Sequence, residues 1–238
     1  MGLVTISYYN RLIMIKVGKK GDLSMQGNTT GTLTPNWVFV ELASDAEIER
    51  AAQALEAHGI HTLIAENGEE AEQMVFDLLP EGAEVFTASS QTLEQLHIPA
   101  DLERSEQYDL VRAKLKKMDP KTQNREMVKL GATPEYIIGS VHAVTEEGQV
   151  LVASNTGSQL GPYSDGAEKV IWVVGAQKIV RDFNEGMQRI EEYAYPREDE
   201  RLLRAMSMHS GINKILMVNK EVKPGRITMI IVKEELGF

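Results

Sequence analysis

A run of small and amide-bearing residues at positions 154–159 (SNTGSQ) has the composition of an anion-binding loop. It follows an apolar segment, and its glycine can adopt positive φ, so that successive backbone N–H groups face one point. Such a loop can cradle a phosphate or a carboxylate, although an ordinary polar turn uses the same residue types. We therefore predict ligand binding by Ser154, Asn155, Thr156, Gly157, Ser158 and Gln159.

Hydroxyl side chains also follow an earlier apolar segment, at residues 87–90 (TASS). They precede a predicted short helix, whose N-terminal N–H groups and dipole favour anions. In parallel sheets, ligands usually lie at the carboxyl ends of the strands. Ser89 and Ser90 are thus further candidates for ligand binding, whereas a plain helix cap accounts for them without a ligand.

Two basic residues, Lys178 and Arg181, follow a later apolar segment. Either cation can neutralise an anionic ligand, and an arginine can do so through two hydrogen bonds. The alternative is that both are simply solvated. We predict Lys178 as a ligand-binding residue.

The candidates for proton transfer are His142 and Glu146. A histidine near its ordinary pKa exchanges protons at neutral pH, and a carboxylate from Glu146 or Glu147 can orient it. His142 falls in a predicted strand, where a hydrogen-bonded structural histidine is the alternative. The catalytic residues therefore stay open.

Two further groups of polar residues favour structural roles. Glu66 lies in a segment similar to one that carries the catalytic glutamate of some CoA-transferases, but here Asn67 explains it as a helix cap. His58 and His61 flank a glycine at a helix end and lack a third ligand nearby, so no metal site is predicted.

Composition and charge limit the partners of the chain. Its 238 residues suffice for one α/β domain or a compact pair of subdomains. The formal net charge of -10 repels phosphate backbones and anionic lipids, which argues against nucleic-acid and membrane partners. No run of about 18 apolar residues and no signal-peptide pattern is present, so the cytoplasm is the expected compartment.

The hydrophobic pattern predicts an α/β fold with a mainly parallel sheet flanked by helices, because short apolar runs alternate with amphipathic segments. A β-hairpin is predicted near residues 136–154 and a helical insertion near residues 101–131.

Residues 1–35 are predicted as an irregular N-terminal arm, and residues 36–238 as the α/β domain. Met25 is an alternative translation start, so whether residues 1–24 belong to the native protein is open. The predicted strands are 37–42, 60–65, 84–88, 136–144, 150–153, 169–174, 215–218 and 227–232.

Four ordered pieces of sequence carry a family resemblance: residues 139–148 (GSVHAVTEEG), 153–160 (ASNTGSQL), 174–180 (VGAQKIV) and 235–238 (ELGF). Together they resemble the LUD (lactate utilisation) domain family, of the lactate utilisation protein C type, over residues 40–238. The resemblance implies a fold similar to the NagB/RpiA/CoA-transferase-like group, which includes formyltetrahydrofolate cyclo-ligase. Proteins of that group bind anionic small molecules at strand ends.

The resemblance also implies a role in the oxidation of L-lactate to pyruvate, beside iron-sulfur and cysteine-rich partner subunits. Some relatives carry a cysteine cluster where this chain has residues 204–211 (RAMSMHSG). The chain contains no cysteine, which excludes disulfides and an iron-sulfur cluster held by its own thiolates. We therefore expect no cofactor bound by this chain, and iron-sulfur centres only in partner subunits.

The first functional hypothesis is a component of L-lactate utilisation that binds a small anionic ligand or a partner subunit rather than carrying the redox centre. The alternative is a stand-alone enzyme of the fold group, either a nucleotide-dependent cyclo-ligase or a CoA- or sugar-phosphate-binding enzyme. No Walker-type glycine loop supports nucleotide binding. A third hypothesis is a homo-oligomeric scaffold. The residues identify neither the ligand nor the oligomeric state.

Overall fold

A computed structural model of the protein describes residues 33–238 in full and, before them, the backbone of three strands. These strands, β1 (Gly2–Tyr8), β2 (Arg11–Val17) and β3 (Leu23–Ser24), pair in that order into an antiparallel sheet. The sequence predicts an irregular arm here because glycines and lysines interrupt residues 19–31. Residues 2–17, however, are rich in the β-branched and apolar types that favour strands. Residues 1–33 and residues 34–238 are two separate compact units.

The second unit is built around a six-stranded sheet in which every neighbouring pair of strands is parallel. The mainly parallel sheet predicted from the sequence is thus confirmed. Its strands are β4 (His61–Ala65), β5 (Glu84–Thr87), β6 (Asp109–Leu110), β7 (Tyr136–Gly139), β10 (Lys169–Gly175) and β13 (Ile227–Val232). They are arranged in the order β4-β13-β10-β7-β5-β6.

Helices cover both faces of this sheet, so the unit has three layers. One face packs against Ile48 and Leu55, and the other packs against Ala71 and Val75. No helix among residues 33–238 is both long and apolar enough to cross a membrane. The helices are α1 (Asp45–Ala57), α2 (Gly68–Asp77), α3 (Gln91–Gln95), α4 (Ile98–Ser105), α5 (Val111–Leu115), α6 (Pro120–Ala132), α7 (Phe183–Arg189) and α8 (Tyr195–Met206).

A smaller, four-stranded sheet contains the predicted hairpin. Its strands are β8 (Ala143–Thr145), β9 (Val150–Ser154), β11 (Ile179–Val180) and β12 (Lys214–Val218), in the order β11-β8-β9-β12. β8 and β9 pair antiparallel, as predicted, but the predicted strand over 136–144 is broken. Its first half is β7 of the parallel sheet, and the chain changes sheets at residues 140–142.

One local prediction is wrong, and another is confirmed with one added element. Residues 37–42 do not form a strand, because Asn36 caps a 3₁₀ turn over Trp37–Val40 and its side chain accepts a hydrogen bond from the Val38 N–H. The helical insertion near 101–131 is present as α4 to α6, but it also contains the two-residue strand β6. No sequence pattern marks β6, because a single edge pairing requires no apolar run.

Candidate functional site

The carboxyl ends of three adjacent parallel strands meet at one buried lysine. β5 leads into α3, which carries Thr92; β7 ends just before Ser140; and Lys178 closes the 3₁₀ turn that follows β10. The Lys178 Nζ donates to Thr92 Oγ1 at 2.9 Å and to Ser140 Oγ at 3.0 Å. Lys178 and Thr92 are each only 1% exposed. We call Thr92, Ser140, Lys178 and Arg189 the Lys178 cluster.

Lys178 has hydroxyl groups where a buried lysine usually has a carboxylate. Among the described residues, no carboxylate forms an ion pair with it. Burial lowers the pKa of Lys178 well below its ordinary value, and the nearby charge of Arg189 lowers it further. The amine is therefore held in surroundings that disfavour its charged form.

Arg189 is the second buried cation of the cluster. This α7 residue has no exposed surface, and its guanidinium lies 5.2 Å from the centre of the Tyr193 ring. Its Nε donates to the Gln177 carbonyl at 3.2 Å and its Nη1 to the His142 carbonyl, whereas its Nη2 has no hydrogen-bond partner among the described residues. Burial lowers the pKa of Arg189 to about 10, although Tyr193 and Glu235 act in the opposite direction.

His142 lies in the irregular link between β7 and β8, not in a strand as predicted. Its Nδ1 accepts a hydrogen bond from the Ala153 N–H at 3.2 Å. Burial, together with the charges of Lys178 and Arg189, lowers its pKa to about 3. The imidazole is therefore neutral at physiological pH. Glu146 does not orient it, since the Glu146 carboxylate pairs with Arg50 of α1 at 2.5 Å.

The low pKa of His142 makes the protein sensitive to acid. Between pH 6.5 and about 3 the unfolded chain binds a proton that the folded chain does not, so stability falls as the pH drops. We expect a loss of about 2 kcal/mol between pH 7 and pH 5 from this residue. Urea titrations of the wild type and a His142→Gln variant at both pH values would measure it. Equal losses in the two proteins would refute this role.

A third cation, Arg112 of α5, lies at the carboxyl end of β5. Its Nε donates to the Thr87 carbonyl at 2.6 Å and its Nη2 to Ser89 Oγ at 3.0 Å. Burial lowers its pKa, while Glu94 and Glu103 act against this. Ser89 is thus engaged by an arginine, and Ser90 caps α3 by accepting from the Leu93 N–H. This edge of the sheet is locally cationic although the chain is acidic.

The predicted anion loop at 154–159 satisfies many of its own polar groups. Ser154 Oγ accepts from the Gly157 N–H at 2.8 Å and donates to Gln159 Oε1 at 3.0 Å. Gly157 has the predicted positive φ, 89°. Lys214 donates to the Thr156 carbonyl at 2.8 Å, and Asn213 to the Asn155 side chain. Within the described residues, none of its hydrogen bonds reaches the Lys178 cluster.

The remaining site predictions fall elsewhere or stay untested. Arg181 is exposed and pairs with Asp182 at 3.0 Å, away from the cluster. His58 and His61 bond to the Gly148 carbonyl and to Glu56, respectively. No group of three histidine or carboxylate side chains suited to a metal ion occurs in the fully described part of the chain.

A short segment, Leu236 to Phe238, packs over the cluster. The Leu236 carbonyl accepts from Thr92 Oγ1 at 3.1 Å and from Gln177 Nε2 at 2.9 Å. Gly237 has a φ of 63°, and a Cβ there would lie 2.4 Å from Thr92 Oγ1, so only glycine fits. Phe238 also lines a groove of about 380 Å³ whose other walls are Gln91, Arg197, Glu200, Arg201, Arg204 and Ala205.

These features define an α/β protein whose parallel sheet carries a buried, cation-rich site at its carboxyl edge. The profile of the LUD domain family matches residues 48–232, and the chain belongs to this family. The resemblance inferred from the sequence is thus confirmed, and the family is associated with lactate utilisation in general.

One solved relative supports the fold. The crystal structure of a DUF162 family protein from Deinococcus radiodurans is similar with a TM-score of 0.52 and 10% sequence identity. The match covers 81% of this chain and 99% of that chain. At this identity the similarity shows the fold alone. No match was found among curated proteins.

The sequence predicted Lys178 but missed most of its neighbours. Thr92 lies inside a short helix and Ser140 in a link between strands, and neither position is marked by a motif. Arg189 is buried with Gly186 on α7, whereas the apolar spacing of the sequence places Phe183, Met187 and Ile190 inward, so its burial follows from tertiary packing.

Proposed function

We propose that this protein is a component of L-lactate utilisation that binds a small carboxylate at the Lys178 cluster and does not carry the redox centre. The supporting observation is the buried Lys178, whose Nζ has hydroxyl partners and no carboxylate partner among the described residues. L-Lactate and pyruvate each carry one carboxylate beside one oxygen atom. The cluster offers cations for the first and hydroxyl groups for the second.

Electrostatics favours an anion at this position. A buried cation without an ion-pair partner is costly, and among the described residues neither Arg189 nor the protonated form of Lys178 has one. A bound carboxylate supplies the missing negative charge and satisfies the free Nη2 of Arg189. It also raises the pKa of Lys178, so that binding takes up a proton from solution.

The redox step falls to other subunits in this proposal. The chain has no cysteine and so offers no thiolate for an iron-sulfur cluster. Iron-sulfur and cysteine-rich partner subunits in the cytoplasm would then transfer the electrons. This protein would hold the substrate or the product beside them.

Isothermal titration calorimetry tests the carboxylate site. We expect L-lactate and pyruvate to bind with a heat that differs between HEPES and Tris buffers, because a bound carboxylate favours the protonated form of Lys178. Acetate, which lacks the second oxygen group, should bind more weakly. No heat from either acid would contradict the proposal. Binding of CoA, ATP or sugar phosphates instead would favour a stand-alone enzyme.

A further inference from the structure

We infer that the Lys178 amine forms a Schiff base with the C2 carbonyl of a 2-oxo acid such as pyruvate. The site would then hold the oxidised acid covalently and the 2-hydroxy acid only by non-covalent contacts. This inference rests on the proposed function, because it uses the same carboxylate site.

The surroundings of Lys178 suit a nucleophilic amine better than a structural cation. A lysine that serves as a fixed charge is normally paired with a carboxylate, which keeps it protonated. Here the partners of Nζ are the hydroxyl groups of Thr92 and Ser140. Burial and the charge of Arg189 favour the neutral amine, which is the form that attacks a carbonyl.

Arg189 supplies the complementary contact for the acid group. Its Nη2 is buried and unpartnered among the described residues, while Nε and Nη1 are fixed on two backbone carbonyls. The guanidinium is thus fixed at two of its nitrogens, with the Nη2 amino group left over for a carboxylate. Its Nε donates to the carbonyl of Gln177, the residue before Lys178. Its Nη1 donates to the carbonyl of His142, two residues after the Ser140 partner of Lys178.

The proposed step balances without a further reactant. The Lys178 Nζ lone pair forms a bond to C2, and the carbonyl π electrons move to the oxygen. That oxygen takes one proton, the nitrogen loses one, and a second proton lets the oxygen leave as water. The product is a protonated imine, so the net reaction consumes one proton and releases one water. The hydroxyls of Thr92 and Ser140, at 2.9 and 3.0 Å from Nζ, are placed to carry these protons.

Entry to Lys178 requires the segment Leu236 to Phe238 to move. This segment is fixed by polar contacts to Thr92, Gln177 and Gln95, including a 2.7 Å bond from the Gly237 N–H to Gln95 Oε1. Its outer side faces the groove lined by Gln91 and Arg197. An acid that enters from this groove would first meet the Arg197 guanidinium, and it would reach Lys178 once the segment has opened.

Borohydride trapping tests the Schiff base. The full-length protein is incubated with pyruvate, reduced with sodium borohydride and digested, and the peptides are analysed by mass spectrometry. We expect one adduct, on Lys178, with the mass of pyruvate minus water plus two hydrogens. L-Lactate has a hydroxyl group at C2 instead of a ketone and should give no adduct. A Lys220→Met variant, which removes an exposed lysine, should trap like the wild type, whereas a Lys178→Met variant should not.

The outcomes separate this inference from the proposed function. Absence of an adduct, or adducts spread over exposed lysines such as Lys214 and Lys220, overturns the Schiff base. If pyruvate still binds in calorimetry, the carboxylate site stands without it. If pyruvate neither binds nor is trapped, both proposals fail. Because the comparison of pyruvate with L-lactate uses the wild type, it does not depend on the folding of any variant.

Discussion

Replacing Lys178 by methionine is expected to weaken binding of L-lactate and pyruvate strongly and, at the same time, to stabilise the protein. The loss of a charged partner in a buried site costs about 2–5 kcal/mol, which weakens binding by at least about 30-fold. Methionine keeps the length and apolar stem of lysine but needs no counter-charge. We therefore expect a gain of about 1–2 kcal/mol in the free energy of unfolding, as for other buried ionic groups replaced by apolar ones.

The stability gain should depend on pH in a defined direction. Below about pH 10.4 an unfolded lysine is protonated, whereas burial lowers the pKa of the folded Lys178. Between the lowered folded pKa and the ordinary one, the unfolded wild type binds more protons, so its stability rises with pH. The advantage of the methionine variant should therefore shrink as the pH approaches the ordinary lysine value.

Calorimetry and urea unfolding of three proteins check this prediction. The matched control is Lys220→Met, which removes an exposed lysine and should change neither binding nor stability by more than about 0.5 kcal/mol. If the Lys178 variant bound both acids as the wild type does, the assignment of the site would be wrong. A loss of both binding and stability would instead identify Lys178 as a structural residue.

The second large effect is expected at Arg226, which lies before β13 and is 3% exposed. Its Nη1 pairs with Glu221 at 2.7 Å, its Nε donates to the Ala167 carbonyl at 3.0 Å, and its Nη2 donates to the Pro162 carbonyl at 2.8 Å. Burial acts to raise the pKa of Glu221, but the Lys223 N–H and the Arg226 guanidinium outweigh it and lower the pKa. The pair is thus a buried, hydrogen-bonded ion pair.

We expect Arg226→Met to reduce the free energy of unfolding by about 3–5 kcal/mol, because it leaves a buried carboxylate without its partner. A double variant with Glu221→Leu should recover part of the loss, since no buried charge then remains unpaired. The exposed pair of Lys223 and Asp165 provides the control, and Lys223→Met should cost less than about 1 kcal/mol. Urea unfolding measures all three. A loss near that of the control would show that Arg226 is not a structural anchor.

The fold was largely predictable because the alternation of apolar runs and amphipathic segments determines it locally. β10 and β13 are almost wholly apolar and lie in the interior of the sheet, as expected for parallel strands covered on both faces. The secondary-structure errors arose at segments whose hydrophobic pattern does not by itself determine the structure. Residues 37–42 are as apolar as a strand but have no neighbour to pair with, and the two residues of β6 carry no pattern at all.

The site was predictable only in part, because the order of the strands in the sheet brings its residues together and no local motif does. β5, β7 and β10 are neighbours in the sheet, yet about 50 and 30 residues separate them along the chain, so no motif links Thr92, Ser140 and Lys178. A basic residue after a strand is usually solvated, and its burial follows from the tertiary packing. The loop at 154–159 shows the converse, since Gly157 has the predicted positive φ but the side-chain hydrogen bonds of the loop connect it to itself, to Ala153 and to residues 213–214.

The contacts of Gln177 have a consequence for kinetics. Its side-chain amide accepts from the Leu236 N–H at 3.3 Å and donates to the carbonyls of Leu236 and Gly237, while the next residue along the chain is Lys178. Movement of the segment Leu236 to Phe238 therefore affects Lys178 directly, because Gln177, which bonds to the segment, is the residue before Lys178. Opening would be a slow step of the protein itself, so the observed association rate would level off at high ligand concentration.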